Sequence, residues 1–409
     1  MRLRRLLALL ALLPPARASA SDFPQWRGPD RDGRVGVAAR ASWPEALLPG
    51  WKVKVGIGHA SPVVAGDRAF LFSREGEEEV VQSFEIATGK RAWRAAYPAP
   101  YTMNPAATSH GKGPKSTPAV ANGRLYTLGI SGILSCFDAT SGHLVWRKEF
   151  GGQFKETSPL FGTAMSPVVE GGLLIAHVGG HGDGALTAFD ASTGAVRWSW
   201  KGDGPGYASP VVGTIGGVRQ VVTQSQDNVL GLSAEQGELL WKIPLTTSYE
   251  QNAVTPVLAG DLVVYGGLDL PLRAVRFARK GGAWTPERVW ENAEVATYLS
   301  SPVLEGGKLY GFSHRKRGQF FCLDAATGRT LWLSDGRQTE NAALLTGGGA
   351  LFLLTTDGAL IVAAKDAAAF KTLRTWKVAE SATWAHPAVV EGAVLVKDVD
   401  TLTLWRMPQ

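Results

Sequence analysis

The sequence is poor in cysteine, in charge and in long apolar runs. Only 2 of its 409 residues are Cys, and 19% are charged. Two Cys exclude a disulfide scaffold and any zinc or iron–sulfur site built from several cysteines. No apolar run reaches the ~18 residues of a membrane-spanning helix, so we predict no transmembrane segment. The hydrophobic content of 45%, with 49 Gly and 14 Trp, provides material for a large core and excludes a disordered chain.

Residues 1–20 have the pattern of a cleavable export signal. Three Arg among the first five residues precede a short apolar run over 6–13, and the small residues 18–20 suit cleavage before Ser21. No Cys follows the run, so we expect no lipid anchor, and we expect a periplasmic or secreted protein. The segment also carries four of the net positive charges, which leaves +2 of the formal +6 for the rest of the chain. We therefore predict no nucleic-acid surface.

A ten-residue motif recurs along the chain. Its three clearest copies place Asp four residues before Gly and Gly four residues before Trp, at residues 137–146, 189–198 and 323–332. Two weaker copies keep the Gly–Trp spacing, and degenerate copies that have lost the Gly end at Trp290 and Trp376. The Asp-x-x-x-Gly segment predicts a tight turn, and the Trp then falls on the strand that follows it.

A second motif alternates with the first: Ser or Thr, then Pro, then two aliphatic residues, then a Gly or Asn-Gly turn. It begins at residues 61, 117, 166, 209, 255 and 301, with a His-Pro variant at 386 and a copy without Pro around 344. Pro is tolerated as the first residue of a strand, where its missing N–H has no ladder partner to satisfy. The two motifs together predict a repeating unit of four antiparallel strands, which is typical of a propeller blade.

Eight such units predict an all-β, eight-bladed β-propeller of four-stranded antiparallel blades. The last unit has room for three strands only, at 387–391, 393–397 and 401–406, and we expect the N-terminal strand 51–55 to complete it and close the ring. Closure removes the open sheet edges that favour aggregation. We expect one domain over 51–409, preceded by an N-terminal strap over 21–50, in a monomeric protein.

One Trp is predicted in the outermost strand of every blade, where a large ring can fill the wedge between neighbouring blades. These eight are Trp51, Trp93, Trp146, Trp198, Trp241, Trp290, Trp332 and Trp376. Cys136 and Cys322 occupy the same register in opposite blades, too far apart for a disulfide. We predict two buried free thiols.

The repeated Asp residues recur at the same turn, at Asp138, Asp190 and Asp324. A carboxylate that recurs in this way is typical of backbone capping, and we predict no catalytic residue. The segment 176–184 holds two His and an Asp among Gly, and we assign it to a hairpin rather than to a metal site.

The Asp-Ala-x-Thr-Gly-x-x-x-Trp repeat resembles the pyrroloquinoline-quinone (PQQ) repeat of eight-bladed propellers, and residues 23–33 resemble the leader of a bacterial branch of that superfamily. One branch comprises the quinoprotein alcohol dehydrogenases, which hold PQQ with calcium, a catalytic Asp and a disulfide between adjacent Cys. The other is BamB, a non-catalytic lipoprotein scaffold of outer-membrane β-barrel assembly. This sequence lacks adjacent Cys and an anchor Cys. The resemblance implies a binding or assembly scaffold without a cofactor, and a PQQ-dependent dehydrogenase is the alternative.

The longer and less regular loops are predicted on one face of the disc, and binding residues concentrate on such loops. We expect a protein or a small-molecule ligand there, at the mouth of the central channel. The candidate residues are His59, Arg74, Lys115, Tyr207, Gln226, Asp227, Asn252, His314, Arg315, Trp384, His386 and Lys397, with Tyr298 nearby. The candidates for a calcium set are Asp227, Glu250, Asn252 and Asp269. Trp26, Arg27 and Asp30 are expected to pin the strap beside the closing strand.

Overall fold

The computed structural model describes residues 22–408, and the predicted export signal lies outside them. The described chain forms eight four-stranded antiparallel sheets. The first four blades consist of β2 (Val63–Ala65), β3 (Arg68–Glu75), β4 (Glu78–Glu85) and β5 (Arg91–Pro98); β6 (Ala119–Ala121), β7 (Arg124–Leu128), β8 (Leu134–Asp138) and β9 (Leu144–Lys148); β10 (Val168–Glu170), β11 (Leu173–Gly180), β12 (Asp183–Asp190) and β13 (Val196–Trp200); β14 (Val211–Ile215), β15 (Val218–Gln224), β16 (Asn228–Ser233) and β17 (Leu239–Pro244).

The remaining blades follow the same order from the channel outward. They consist of β18 (Val257–Ala259), β19 (Leu262–Tyr265), β20 (Leu272–Lys280) and β21 (Ala283–Asn292); β22 (Val303–Glu305), β23 (Lys308–Ser313), β24 (Gln319–Asp324) and β25 (Thr330–Leu333); β26 (Ala342–Gly347), β27 (Ala350–Thr355), β28 (Ala359–Ala364) and β29 (Thr372–Lys377); β30 (Ala388–Val390), β31 (Ala393–Lys397), β32 (Thr401–Arg406) and β1 (Leu48–Lys54). Short 3-10 helices lie in loops at Pro105–His110, Ser248–Glu250 and Arg315–Arg317.

The N-terminal strand closes the ring, as predicted. Strand β1 pairs antiparallel with β32, and Trp51 lies opposite Leu404. The strand begins at Leu48, three residues before the predicted start, so residues 48–50 belong to the closing strand and not to the strap. The eight-bladed fold class is confirmed, and the described residues contain no helix long and apolar enough to cross a membrane.

The repeated Trp and the residue opposite it are matched in size. The partners in the third strand, in six of the blades, are small: Ser83, Cys136, Ala188, Gly231, Ala274 and Cys322. At Gly231 an added Cβ would lie 2.2 Å from the Trp241 ring. Both Cys are therefore the small residues that accommodate an indole, and both are buried free thiols. Burial raises the pKa of each thiol to about 12.

The Gly of each repeat packs against the Trp ring of the preceding blade, where a Cβ would not fit. A Cβ on Gly142 would lie 2.5 Å from the Trp93 ring, and one on Gly328 would lie 2.4 Å from Trp290. The indole N–H of Trp93 then donates to the carbonyl of Ala139, in the same turn. Blade 5 has lost this Gly, and Trp241 of blade 4 accordingly differs.

The indole N–H of Trp241 donates to Gln220 of its own blade at 2.7 Å. Its ring stacks on Phe277 of blade 5, with centroids 4.1 Å apart. Phe277 thus supplies the contact that a repeat turn supplies to Trp93 and Trp290. Blade 7 has also lost the Gly, and there Trp332 packs against Phe370, with centroids 5.6 Å apart.

Asp190 shows how the repeat turn is held. Its Oδ1 accepts hydrogen bonds from the backbone N–H groups of Ser192 and Thr193, both at 3.0 Å. Asp138 and Asp324 cap their turns in the same way. The segment 176–184 forms the hairpin between β11 and β12. These carboxylates thus build turns, as their recurrence predicted.

Candidate functional site

The Ser or Thr of the strand-opening motif forms hydrogen bonds around the channel. The N–H of Thr117 donates to Ser166 Oγ, and the N–H of Ser166 donates to Ser209 Oγ, both at 2.9 Å. The His-Pro variant joins the last blade to the first, because the His386 N–H donates to Ser61 Oγ at 2.9 Å. The hydroxyl in this motif therefore links each of these blades to its neighbour, while the following Pro leaves a carbonyl directed at the channel.

The strap uses those carbonyls. Arg31 is 2% exposed, and its guanidinium donates to the carbonyls of Ser166, Pro167 and Pro210 at 2.8, 2.9 and 2.8 Å. Arg27 is equally buried and donates to the carbonyl of Pro302 across the channel. Burial lowers the pKa of Arg31 to about 9 and that of Arg27 to about 10. Both are still charged at neutral pH.

The strap therefore occupies the central channel, which corrects the expectation that it lies beside the closing strand. Phe23 pairs with Val64 of blade 1, and Arg34 pairs with Thr346 of blade 7. Only its later part leaves the channel, where Trp376 in the outer strand of blade 7 donates to the carbonyl of Glu45 at 3.1 Å. The recurring Pro carbonyls and the two Arg were visible in the sequence, but their meeting depends on ring closure.

A cavity of about 250 Å³ lies above the strap, at the mouth of the channel. We call it the mouth cavity. It is lined by residues that precede the first strands of the blades, together with the strap: Trp26, His59, Ala106, Ala107, His110, Lys115, Phe161, Ala164, Tyr207, Ser209, Gln251, Ala253, Tyr298, Leu299, Asn341, Trp384 and His386. Trp26 packs against His386 with centroids 4.3 Å apart, and its indole N–H donates to Thr255 Oγ1 at 3.2 Å. The strap therefore provides the floor.

The structure brings five of the twelve candidates together in this cavity: His59, Lys115, Tyr207, Trp384 and His386, with Tyr298. Sequence reasoning missed His110, which lies 5.1 Å from the Trp384 ring, and Phe161, whose ring lies 6.0 Å from Tyr207. Both belong to the long loops that the sequence assigned to this face. Loop length was the one signal that could have indicated them.

Burial sets the charge of the cavity. It lowers the pKa of His59 to about 4 and that of His386 to about 3, and it also lowers the pKa of His110. Burial lowers the pKa of Lys115 to about 8. At pH 7 the imidazoles are neutral, and Lys115 provides the positive charge of the lining.

Three candidates that were expected at the mouth are used inside the fold. Arg74 is buried and binds the carbonyl of Gly76 and the carboxylate of Glu77. The amide of Asn252 is buried and donates to three backbone carbonyls. The Lys397 ammonium donates to the carbonyls of Asp398 and Val399. The three residues lie near strand ends on the side of the mouth, but their side chains donate to backbone carbonyls and do not face the cavity.

The other four candidates lie away from the cavity. Gln226 and Asp227 line a separate polar depression beside Gly182 and Lys201. His314 Nε2 lies 2.8 Å from Asp269 Oδ1. Arg315 is half-buried in the turn between β23 and β24. The twelve candidate residues are therefore divided among the mouth cavity, the interior of the fold, the polar depression and the loops.

The lining does not fit a quinone held by a metal ion. Calcium prefers several carboxylate or carbonyl oxygens, whereas the residues around this cavity include a lysine and three histidines and no Asp or Glu. Of the calcium candidates, Glu250 pairs with His181 and Asp269 with His314. Across residues 22–408, no group of three or more His, Cys, Asp or Glu is arranged to hold a metal.

Eight four-stranded blades closed into a ring, with the Asp…Gly…Trp repeat in several of them, define this molecule as an eight-bladed propeller of the PQQ-repeat class. The family model described as outer membrane protein assembly factor BamB matches residues 77–334. The chain belongs to that family.

Two curated relatives carry the same name. BamB of Shewanella oneidensis is 25% identical over 249 residues, 58% of this chain and 60% of that protein. BamB of Yersinia pestis is 23% identical over 309 residues, 69% of this chain and 69% of that protein. The chain thus spans about three fifths of the length of the first of these relatives.

Solved structures from both branches share the fold. BamB from Moraxella catarrhalis has a TM-score of 0.61 at 15% identity, covering 88% of this chain and 98% of that one. A europium-containing methanol dehydrogenase has a TM-score of 0.71 at 12% identity, covering 95% and 98%. At such identities the likeness shows the fold alone.

Proposed function

We propose that the chain is an exported, non-catalytic scaffold of the bacterial envelope, which takes part in outer-membrane protein assembly and binds a protein partner through its loop-rich face. Family membership supports the assembly role. The signal-like residues 1–20 support export, to the periplasm or beyond the cell. The distribution of exposed apolar side chains carries the choice of face.

Four large apolar side chains are exposed on the loop-rich face: Ile57, Leu160, Tyr249 and Val399. Other exposed apolar side chains lie on strands, such as Val196 and Val289. Tyr249 is 72% exposed and has a φ of 58°, in the left-handed region that costs a non-glycine residue energy. Strained residues cluster at functional sites and binding residues concentrate on loops, so Tyr249 is the residue that we assign to the partner contact.

A photo-crosslinking amino acid at position 249 tests this face, in the bacterium that encodes the protein. Position 67 provides the matched control, because Asp67 is 84% exposed in a short turn on the opposite face. We expect position 249 to crosslink to an outer-membrane assembly component and position 67 to give no such adduct. Equal crosslinking from both positions, or a partner unrelated to assembly, would contradict the proposal.

The dehydrogenase alternative has its own test. The purified protein is titrated with PQQ and calcium and assayed for dye reduction with alcohols. Stoichiometric binding with turnover would show that the protein is a PQQ-dependent enzyme and would contradict the scaffold proposal. We expect none, because the cationic lining opposes a bound metal ion.

A further inference from the structure

The mouth cavity has aromatic walls on opposite sides. Tyr207 precedes blade 4 and Trp384 precedes blade 8, which face each other in an eight-membered ring. His59 and His110 lie edge-on to the Trp384 ring, at 6.2 and 5.1 Å. The cavity therefore presents aromatic surface to a planar group from the sides of blade 4 and blade 8.

The single cation of this lining has unused donors. The Lys115 ammonium donates to the carbonyl of Phe161 at 2.7 Å, whereas an ammonium carries three N–H donors. Among residues 22–408, no carboxylate forms an ion pair with Lys115. A half-buried ammonium without a counter-charge favours an anionic ligand that accepts its remaining hydrogen bonds.

Glu340 and Glu250 lie outside the lining and act on the pKa of Tyr298 and Tyr207, whereas burial alone lowers the pKa of Lys115. The cavity lining contains no acidic side chain, and Trp26 and His386 close its floor. The burial that keeps the imidazoles neutral also removes them as competing cations. One anionic group placed at Lys115 therefore matches the charge of the whole lining.

The volume limits the ligand. An apolar cavity of about 150 Å³ holds one benzene ring, and the mouth cavity, at about 250 Å³, is larger. Pockets for larger organic ligands span about 300–1,000 Å³. The cavity thus suits a ligand of one or two fused rings.

We propose that the mouth cavity binds a small aromatic carboxylate, with the ring between Trp384 and Tyr207 and the carboxylate on Lys115 Nζ, and without a metal ion. This site is separate from the exposed apolar side chains that we assign to a protein partner. The proposal therefore does not rest on the assembly role, and either can fail alone.

The test is calorimetric titration of the purified protein with naphthalene-2-carboxylate in a metal-chelating buffer. The neutral naphthalene-2-carboxamide tests the charge, and cyclohexanecarboxylate tests the ring. Inorganic phosphate tests for a general anion site. We expect saturable one-to-one binding of the aromatic acid, at least about tenfold tighter than each of the three controls, because a charge-assisted hydrogen bond and ring contacts both contribute.

Lys115→Met removes the ammonium and keeps a side chain of similar length, and we expect it to weaken binding at least about tenfold. Lys112→Met is the matched control: this neighbouring lysine pairs with Glu77 at 3.4 Å and does not line the cavity. A thermal melt of each variant verifies folding. The proposal is overturned if the acid does not bind at about millimolar concentration, if the carboxamide or phosphate binds equally well, or if Lys115→Met binds like Lys112→Met.

Discussion

Replacing Arg31 with Met tests whether the strap in the channel stabilises the propeller. The change removes three hydrogen bonds to the carbonyls of Ser166, Pro167 and Pro210 in two different blades, and a fourth to Gln25 Oε1 within the strap. Each buried acceptor left without a donor costs about 1–3 kcal/mol. Two effects reduce the sum: a carbonyl has a second lone pair, and the variant no longer buries a guanidinium without a paired carboxylate. We therefore expect Arg31→Met to lower the free energy of unfolding by about 3 kcal/mol.

The measurement is the midpoint of denaturant unfolding, followed by tryptophan fluorescence, together with limited proteolysis of the strap. Asp30→Ala is the matched control, because Asp30 is the exposed neighbour of Arg31, and we expect it to change stability by less than about 0.5 kcal/mol. Arg31→Lys should be nearly as destabilising as Arg31→Met, because one ammonium cannot reproduce a planar fork that reaches three acceptors. If the free energies of unfolding of Arg31→Met and Asp30→Ala differ by less than about 1 kcal/mol, the strap does not stabilise the propeller in the way we describe.

Two further predictions concern the repeat turns. Gly328→Ala should lower the free energy of unfolding by about 1–3 kcal/mol more than Gly307→Ala. The two Gly have φ of 71° and 73°, but only a Cβ on Gly328 would meet Trp290, at 2.4 Å. Equal losses of stability in urea unfolding would show that backbone strain alone decides. Hydrogen bonds from neighbouring hydroxyls and N–H groups hold the pKa of Asp190 below its ordinary value of 3.8. The stability that the Asp190 carboxylate adds to the folded protein is therefore complete above pH 3.8, and it is lost as the pH falls through the lower pKa of the folded state. Unfolding midpoints measured from pH 6 to about 2.5 should fall more steeply for the native protein than for Asp190→Asn, and parallel curves would contradict this.

The blade architecture was predictable because each element carries a local signal. Pro at the start of the inner strands, Gly-centred turns and one Trp per outer strand recur at intervals that the backbone alone explains. The closing strand followed from counting, since the last blade lacked one strand and the segment near Trp51 had none to pair with. The buried state of Cys136 and Cys322 followed from their shared register.

The candidate site was predicted less well. A position near the channel mouth was correct for Lys115 and Trp384, but the same reasoning placed Arg74 and Asn252 there, and these side chains turn inward to backbone acceptors. Whether a polar side chain at a loop end faces the cavity or satisfies a carbonyl depends on which carbonyls the neighbouring blade leaves unpaired. That information is not contained in the local sequence.

The sequence by itself determined the strands, the turns, the number of blades and the closure of the ring, because these depend on residues close together in the chain or on a simple count. Only the tertiary structure decided the path of the strap, which Trp docks on a Gly of the next blade and which docks elsewhere, and the cavity that Trp26 closes. These features join residues of different blades or of the strap and a blade, which lie far apart in the chain, as where Trp26 donates to Thr255. Such contacts exist only once all eight blades have brought their inner strands around one axis.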